Sequence, residues 1–451
     1  MIVEIKKMGI NGEGIGYINQ LPVFVEGALI GEEVDIHVIE RKKTYAIAEI
    51  NRIIKKSSHR VNPKCDMQAR CKMCPLMVCK YDETLKYKKD ILKQTLIKYA
   101  QINPRLIEDV RPSANVFQYR NQFKMPVSKE DRQLETGFFL PNSNYFVGIE
   151  RCMCHDAKLE KVRKNITYIL NQEGYDNYRH KEKRGIRNLI VRGLNGKFQC
   201  TIVTGLDEIR KSTIDKIMEI EGMYSLWQSV HTVKKTPEVF GNQMNFLAGQ
   251  KLLPFELDGI KMNISPRSFF QLNSEQAKVL YRTIKELIPN KVNLLVEAYS
   301  GIGGISMYLK DQAKEIIGIE SVKDAVVNAN QNAKLNKLEH VSFICDDAAN
   351  KLLYLSKTRD IDVLVVDPPR SGLSSEMIEC ITRSKIKKVI YISCNPATLG
   401  KDLQVLLDRY QVEKVIPLDM FPHTAHIESI TVLNYNKKGG HYRKEKRDGG
   451  F

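Results

Sequence analysis

From residue 285 onward, short apolar runs return at regular spacing: 293–297, 315–320, 341–344, 361–366 and 389–392, each rich in Val, Ile or Leu. Segments with helical periodicity separate them. Strands that are apolar on both faces and alternate with helices pair into a parallel sheet covered on both sides, so a doubly wound α/β region is expected here. Two more runs, 412–418 and 429–435, predict a hairpin closing one edge of that sheet. Ser321-Val-Lys-Asp324 reads as a capping box with Asp in place of the usual Glu. Upstream the pattern changes. Residues 1–54 alternate β-favouring runs with glycine turns, which predicts a small closed barrel, and residues 55–60 read as a linker. Residues 83–100 set Leu85, Leu92, Leu96 and Tyr99 on one stripe with lysines elsewhere, the pattern of an amphipathic helix. Strand-like runs at 122–127, 137–139, 188–192 and 197–203 predict an antiparallel sheet with a helix or two.

The charge balance adds a partner. Lys and Arg number 70 against 53 Asp and Glu, a formal net charge of +17, and a surplus of that size favours a polyanion, most often nucleic acid. The basic, aromatic-bearing stretch 177–184 is a solvated loop or a phosphate contact. No apolar run is long enough to cross a bilayer and Met1-Ile-Val-Glu-Ile lacks a secretory layout, so a cytoplasmic protein without a membrane partner is expected. The tail from Lys437 is basic and glycine-rich, with the composition of a disordered segment.

Three of the ten cysteines form Cys65-x5-Cys71-x2-Cys74-Pro75, a loop that can turn its sulfurs toward one centre. A fourth ligand is needed, and Arg151-Cys152-Met-Cys154-His155 offers the candidates. Zinc and a [4Fe-4S] cluster would both accept such a set.

The C-terminal region carries candidate chemistry. After its first strand comes Glu297-Ala-Tyr-Ser-Gly301-Ile-Gly303-Gly304, which lacks the G-x-G-x-x-G spacing of a dinucleotide loop. Acids follow at successive strand ends: Glu320, Asp346-Asp347 and Asp367. A wall of carboxylates repels a diphosphate but suits a ribose, an adenine amino group and a sulfonium, so S-adenosylmethionine is the expected cofactor. Asp367-Pro-Pro-Arg370 is a stiff turn at the fourth strand's end, with Arg370 where amino-methyltransferases carry an aromatic residue. Cys394 ends the fifth strand at the edge where open α/β sheets bind ligands, and so is a candidate nucleophile. Uracil C5 attacks a methyl sulfonium only after a thiolate adds at C6, and a base must then remove the C5 proton. Glu428 is the chosen base, with His423 and His426 as rivals.

The N-terminal series Gly12-x-Gly14-x-Gly16, Val23-Phe-Val25, Gly27-Ala28-Leu29, Gly31-Glu32 and Lys42-Lys43-x-Tyr45-Ala46 resembles the TRAM domain, an RNA-binding barrel. Ser265-Pro-Arg-Ser-Phe-Phe-Gln271-Leu-Asn273, Asp367-Pro-Pro-Arg370, Ser393-Cys394-Asn-Pro and His426-Ile-Glu428 together resemble the uridine-C5 RNA methyltransferases. The barrel and cysteines point to the iron-sulfur branch that acts on 23S ribosomal RNA. The resemblance implies Cys394 as nucleophile and Glu428 as base. It also implies cofactor or target-base contacts from Gln271, Tyr299, Glu320 and Asp367, alongside the candidate loop and strand-end residues Gly301, Gly304 and Asp347. It implies a [4Fe-4S] cluster on Cys65, Cys71, Cys74 and Cys152. Departures from the pattern are Lys72-Met73 for Gly-Gly, Glu297 and Ser300 for Asp and Cys, and extra thiols at Cys79 and Cys154.

The expected organisation is therefore a TRAM-like OB-type β-barrel at 1–56, a central α+β RNA-binding domain at 57–270, a Rossmann-like S-adenosylmethionine-dependent methyltransferase domain at 271–436 and a tail at 437–451, acting as a monomer. The expected activity is C5 methylation of a uridine in 23S rRNA. The rivals are a tRNA target, a purine N-methyltransferase and a non-catalytic RNA-binding factor.

Overall fold

The computed structural model describes residues 1–140, 143–234, 236 and 238–436, so the expected tail lies outside the described residues. The chain divides into two compact units. One comprises 1–63, 74–114 and 276 onward; the other comprises 64–73 and 115–275.

In the first unit the N-terminal segment forms a six-stranded sheet in the order Ile2–Glu4, Glu33–Arg41, Ala46–Lys55, Leu21–Val25, Gly14–Ile18, Lys7–Met8. Its core is Val3, Ile5, Val23, Val25, Ala28, Val34, Ile36, Ala46 and Ala48. A Cβ on Gly16 would stand 2.2 Å from the Val3 side chain, so glycine there is a matter of close strand approach. The stretch read as a linker is tied down. The Arg60 guanidinium grips fully buried Glu32 through Nε at 2.6 Å and a terminal nitrogen at 2.7 Å, and the Ser57 N–H donates to the same carboxylate at 3.1 Å.

The same unit holds a seven-stranded sheet in the order Val341–Cys345, Ala313–Glu320, Val292–Ala298, Val363–Val366, Lys388–Ser393, Glu428–Tyr435, Tyr410–Leu418. The first five strands are parallel, as their continuous apolar runs predict. The last two pair antiparallel with each other, and Glu428–Tyr435 lies inside the sheet against Lys388–Ser393. The helix after Ala313–Glu320 spans Lys323–Leu335 with Val322 at its N-cap and no side-chain cap. The capping box is not formed, and the Ser321 hydroxyl donates instead to Glu320 at 3.3 Å. Helix Tyr81–Ala100 buries Tyr87, Ile91, Leu92, Leu96 and, against expectation, Lys88.

The second unit is built on a seven-stranded sheet in the order Gln243–Gly249, Met223–Val230, Lys197–Thr204, Ile186–Leu194, Gln122–Glu130, Gln133–Phe139, Phe146–Gly148. Helices Ala157–Gln172 and Lys211–Met218 contribute Leu159, Val162, Ile166, Ile214 and Ile217 to its core. Lys197–Thr204 pairs parallel with Met223–Val230, the one parallel ladder in a sheet read from sequence as antiparallel. No helix among the described residues is long and apolar enough to cross a membrane.

Candidate active site

Strand Lys388–Ser393 runs out at Cys394, and the chain turns directly into helix Pro396–Leu406. Asn395 makes the turn. Its side-chain oxygen accepts from the Ala397 N–H at 3.1 Å, capping the helix, and its amide donates to the Arg370 carbonyl at 3.0 Å. The second bond ties the cysteine turn to the Asp367-Pro-Pro-Arg370 turn at the end of the neighbouring strand. On the other side Ser393 pairs with Ser429 in the antiparallel ladder. Continuing that register by one residue sets Cys394 opposite Glu428.

The electrostatics of these strand ends are unbalanced. Burial pushes the Cys394 thiol up to about 11, with Glu428 and Asp367 adding to the rise and Arg370 opposing it. Burial also lifts Glu428 well above the carboxylate range, with Asp367 adding and Arg370 opposing. Asp367 is pushed up to about 7 by burial. A carboxyl held high is a stronger base than an ordinary one, and the N–H groups of a following helix favour a thiolate. The arrangement places a thiol and a buried carboxyl at the ends of adjacent strands. Arg370, noticed in the sequence only as a departure, is the cation facing both; its signal was a basic residue closing a stiff strand-end turn.

The glycine loop lies on the same sheet. Tyr299, Gly301 and Gly303 have φ of +65°, +54° and +80°. A Cβ on Gly303 would stand 2.2 Å from the Phe343 ring, whereas one on Gly301 would meet nothing within 4 Å, leaving that face open to a ligand. Glu320 accepts the Gly301 N–H at 3.0 Å. Asp347 caps helix Ala348–Thr358 by accepting from the Asn350 N–H at 2.9 Å. Burial, then Asp347 and Asp402, push Tyr299 up to about 12. Gly304 opens helix Gly304–Tyr308, and a Cβ there would lie 3.0 Å from the Tyr281 hydroxyl. Glu297 accepts from the Ser306 N–H at 2.9 Å and from its hydroxyl, and burial pushes it up to about 8, with Asp367 and Glu320 adding. Glu297 and Glu320 are thus held by N–H and O–H donors rather than by cations.

Gln271 belongs to the second unit and is buried. There Asn121 fixes the backbone around it: its side chain donates to the Gln271 carbonyl at 2.9 Å and the Ser274 hydroxyl at 2.8 Å, and its N–H to the Leu272 carbonyl at 2.9 Å.

A family profile described as tRNA (Uracil-5-)-methyltransferase matches residues 80–436, and a TRAM domain profile matches residues 1–50. The chain belongs to this methyltransferase family. It is 34% identical to an "Uncharacterized RNA methyltransferase" of Bacillus cereus over 96% of both chains, and 35% identical to one of Clostridium tetani over 95% of both. It is similar in fold to the Pyrococcus abyssi tRNA (uracil-54, C5)-methyltransferase in complex with S-adenosyl-L-homocysteine, with TM-score 0.76, 24% identity, and coverage of 96% of this chain and 100% of that one. The protein is an S-adenosylmethionine-dependent RNA (uracil-C5)-methyltransferase with an N-terminal TRAM domain, and RNA is its partner.

The cysteines of this methyltransferase are distributed over both units. Cys65, Cys71 and Cys152 lie in the second, where burial pushes Cys71 up to about 11 and the Cys152 and Cys65 thiols add to the rise. Cys152 is pushed up to about 12 by a bond from Cys154 and by burial, with His155 opposing. Cys74 lies in the first unit. Cys79, an extra thiol by sequence, is packed among Leu76, Val78, Tyr87 and Ile91. Among the described residues no group of three or more His, Cys, Asp and Glu is gathered as a metal site.

Proposed function

We propose that this methyltransferase makes 5-methyluridine in 23S ribosomal RNA, in the cytoplasm, with Cys394 as nucleophile and Glu428 as base. The observation that carries the assignment is the ladder register that sets Cys394 opposite Glu428, beside Asp367 and Arg370. Cys394 Sγ adds to uracil C6 and the electrons shift toward C5, which becomes nucleophilic. S-adenosylmethionine, when bound, supplies the methyl group from its sulfonium. Glu428 then takes the C5 proton, the C5–C6 double bond re-forms, and the C6–S bond breaks with its electrons returning to sulfur. Arg370 steadies the negative charge on Cys394 while the thiol is ionised. Glu320 suits the ribose diol and Asp347 the adenine edge, with Gln271, Tyr299, Gly301, Gly304 and Asp367 completing the cofactor and target-base contacts. The target uridine must leave its stack to reach Cys394, and the positive surface supplies affinity for the backbone.

The deciding experiment is mass spectrometry on wild type, Cys394→Ala and Glu428→Gln incubated with S-adenosylmethionine and 5-fluorouridine RNA. A covalent RNA adduct carrying one methyl group in wild type and none in Cys394→Ala is expected. Methyl transfer to ordinary RNA without any adduct would remove the thiol mechanism and bring a purine N-methyltransferase forward. The ribosomal target rests on the resemblance of the cysteine motif and barrel to the iron-sulfur branch, and tRNA is the competing substrate. Offering both RNAs to the purified enzyme and mapping the methylated nucleoside separates them; label in tRNA alone would replace the ribosomal reading.

The same resemblance supports a [4Fe-4S] cluster held by Cys65, Cys71, Cys74 and Cys152. Protein purified without oxygen should contain matched iron and sulfide that Cys71→Ala loses, and zinc in their place would correct the assignment.

A further inference from the structure

The loop leading into Glu428 is held by side chains that take no part in the chemistry. Residues 419–427 join strand Tyr410–Leu418 to Glu428–Tyr435. Lys88, on helix Tyr81–Ala100, is fully buried and donates to Asp419 Oδ1 and, at 2.9 Å, to the Phe421 carbonyl. The Tyr81 hydroxyl donates to Asp419 Oδ2 at 2.8 Å and accepts from the Ser113 N–H at 2.8 Å. The Leu76 N–H donates to the His423 carbonyl at 3.0 Å, and the His423 ring lies 6.4 Å from that of Tyr81, centre to centre. His423 itself sits at φ +66°, a conformation a non-glycine residue adopts only when its surroundings impose it. A fully buried ion pair is weak support for stability, since apolar residues of similar volume often serve as well. A network of this kind, spanning more than 330 positions of sequence between Lys88 and Asp419, has a geometric use instead.

We propose that Tyr81, Lys88 and Asp419 are positioning residues for proton abstraction, fixing residues 419–427 so that the Glu428 carboxylate stands at the C5 proton. The inference rests on the reading of Glu428 as the base. Cys394 arrives on a different strand, Lys388–Ser393, and none of the hydrogen bonds described above reaches it. Loosening the loop therefore slows loss of the C5 proton and release of the thiol, while addition at C6 and methyl transfer continue. The methylated covalent adduct then accumulates on ordinary uridine.

The test uses the full-length enzyme in single turnover on RNA carrying tritium at uridine C5. Tritium release, methyl transfer and covalent adduct are followed for wild type, Glu428→Gln, Tyr81→Phe and the double variant Lys88→Met with Asp419→Leu. Tyr81→Phe should slow tritium release about tenfold, and the double variant about a hundredfold, the scale expected of a small misplacement of a reacting group. In both, methyl transfer should stay near wild type and adduct should appear. Parallel loss of both rates without adduct, while Glu428→Gln does trap it, would reduce the network to a structural one and overturn the inference. No adduct in Glu428→Gln would remove the base assignment and this inference with it. Should the double variant fail to fold, Tyr81→Phe decides, since it removes a single oxygen atom.

Discussion

Buried carboxyl groups are treated in two opposite ways in this protein. Burial would raise Glu32, but Arg60 and the N–H groups of Leu29 and Ser57 outweigh it and hold the carboxyl below its ordinary value. Glu160, in the second unit, falls to about 2 because His155 and Arg163 overcome the same burial. At the strand ends around Cys394 and the glycine loop the outcome reverses, and Glu428, Asp367 and Glu297 all rise. Glu32 and Glu160 are each gripped by a cation in direct contact. Around Cys394 burial outweighs the single opposing cation, Arg370, which keeps Glu428 able to exchange a proton.

The contrast is broken most severely at the base. Glu428→Gln should slow tritium release from C5-labelled uridine by a factor on the order of 10²–10⁴ without weakening the fold. An unchanged rate would place Glu428 with the structural carboxyls. On the paired side, Arg60→Met leaves Glu32 buried without its cation, held only by the Leu29 and Ser57 N–H groups. Urea unfolding should then show a loss of about 3–5 kcal/mol with little change in turnover per folded molecule. A loss under about 1 kcal/mol would mean the pair is incidental. Glu32 also sets a pH window: its folded value lies below its unfolded one, so its contribution is present above about pH 4.5 and is lost as pH falls.

Glu297 should show the inverse dependence. Its folded value, about 8, lies above the unfolded 4.5, so its contribution is full below pH 4.5 and is lost as pH rises through 8. Glu297→Gln should remove that slope, worth roughly a few kcal/mol between the two limits, in thermal melts run across the range. The mildest change is Asp367→Asn. It takes a negative neighbour from Glu428, so the acid limb of proton abstraction should move to lower pH at saturating cofactor. A limb that stays in place would mean the two carboxyls do not sense each other.

Much of the catalytic sheet was legible in the sequence because strands covered on both faces leave continuous apolar runs, and five of them fall at the expected places. The expected edge hairpin of Tyr410–Leu418 and Glu428–Tyr435 is present, but which of its strands lies beside Lys388–Ser393 was not legible, since the two share the same alternation and differ only in a long-range partner. Lys88 was hidden for a related reason. A lysine on an amphipathic helix reads as solvent-facing, and the distant Asp419 and Phe421 carbonyl make its burial tolerable. Arg60 looked like linker charge until Glu32 was placed beside it. Cys394 was legible as a candidate because a strand end and a polar, proline-containing turn are local signals. The charge imbalance around it was not, because it is the sum of residues from three strand ends.

The inserted strand has a consequence for how the enzyme is made. A segment translated after residue 427 fills the gap between two strands translated before it. A nascent chain that has not yet delivered Glu428–Tyr435 carries Cys394 on an unfinished sheet edge with no partner across from it. Cys394 and Glu428 come to stand across from each other only once translation has passed that strand.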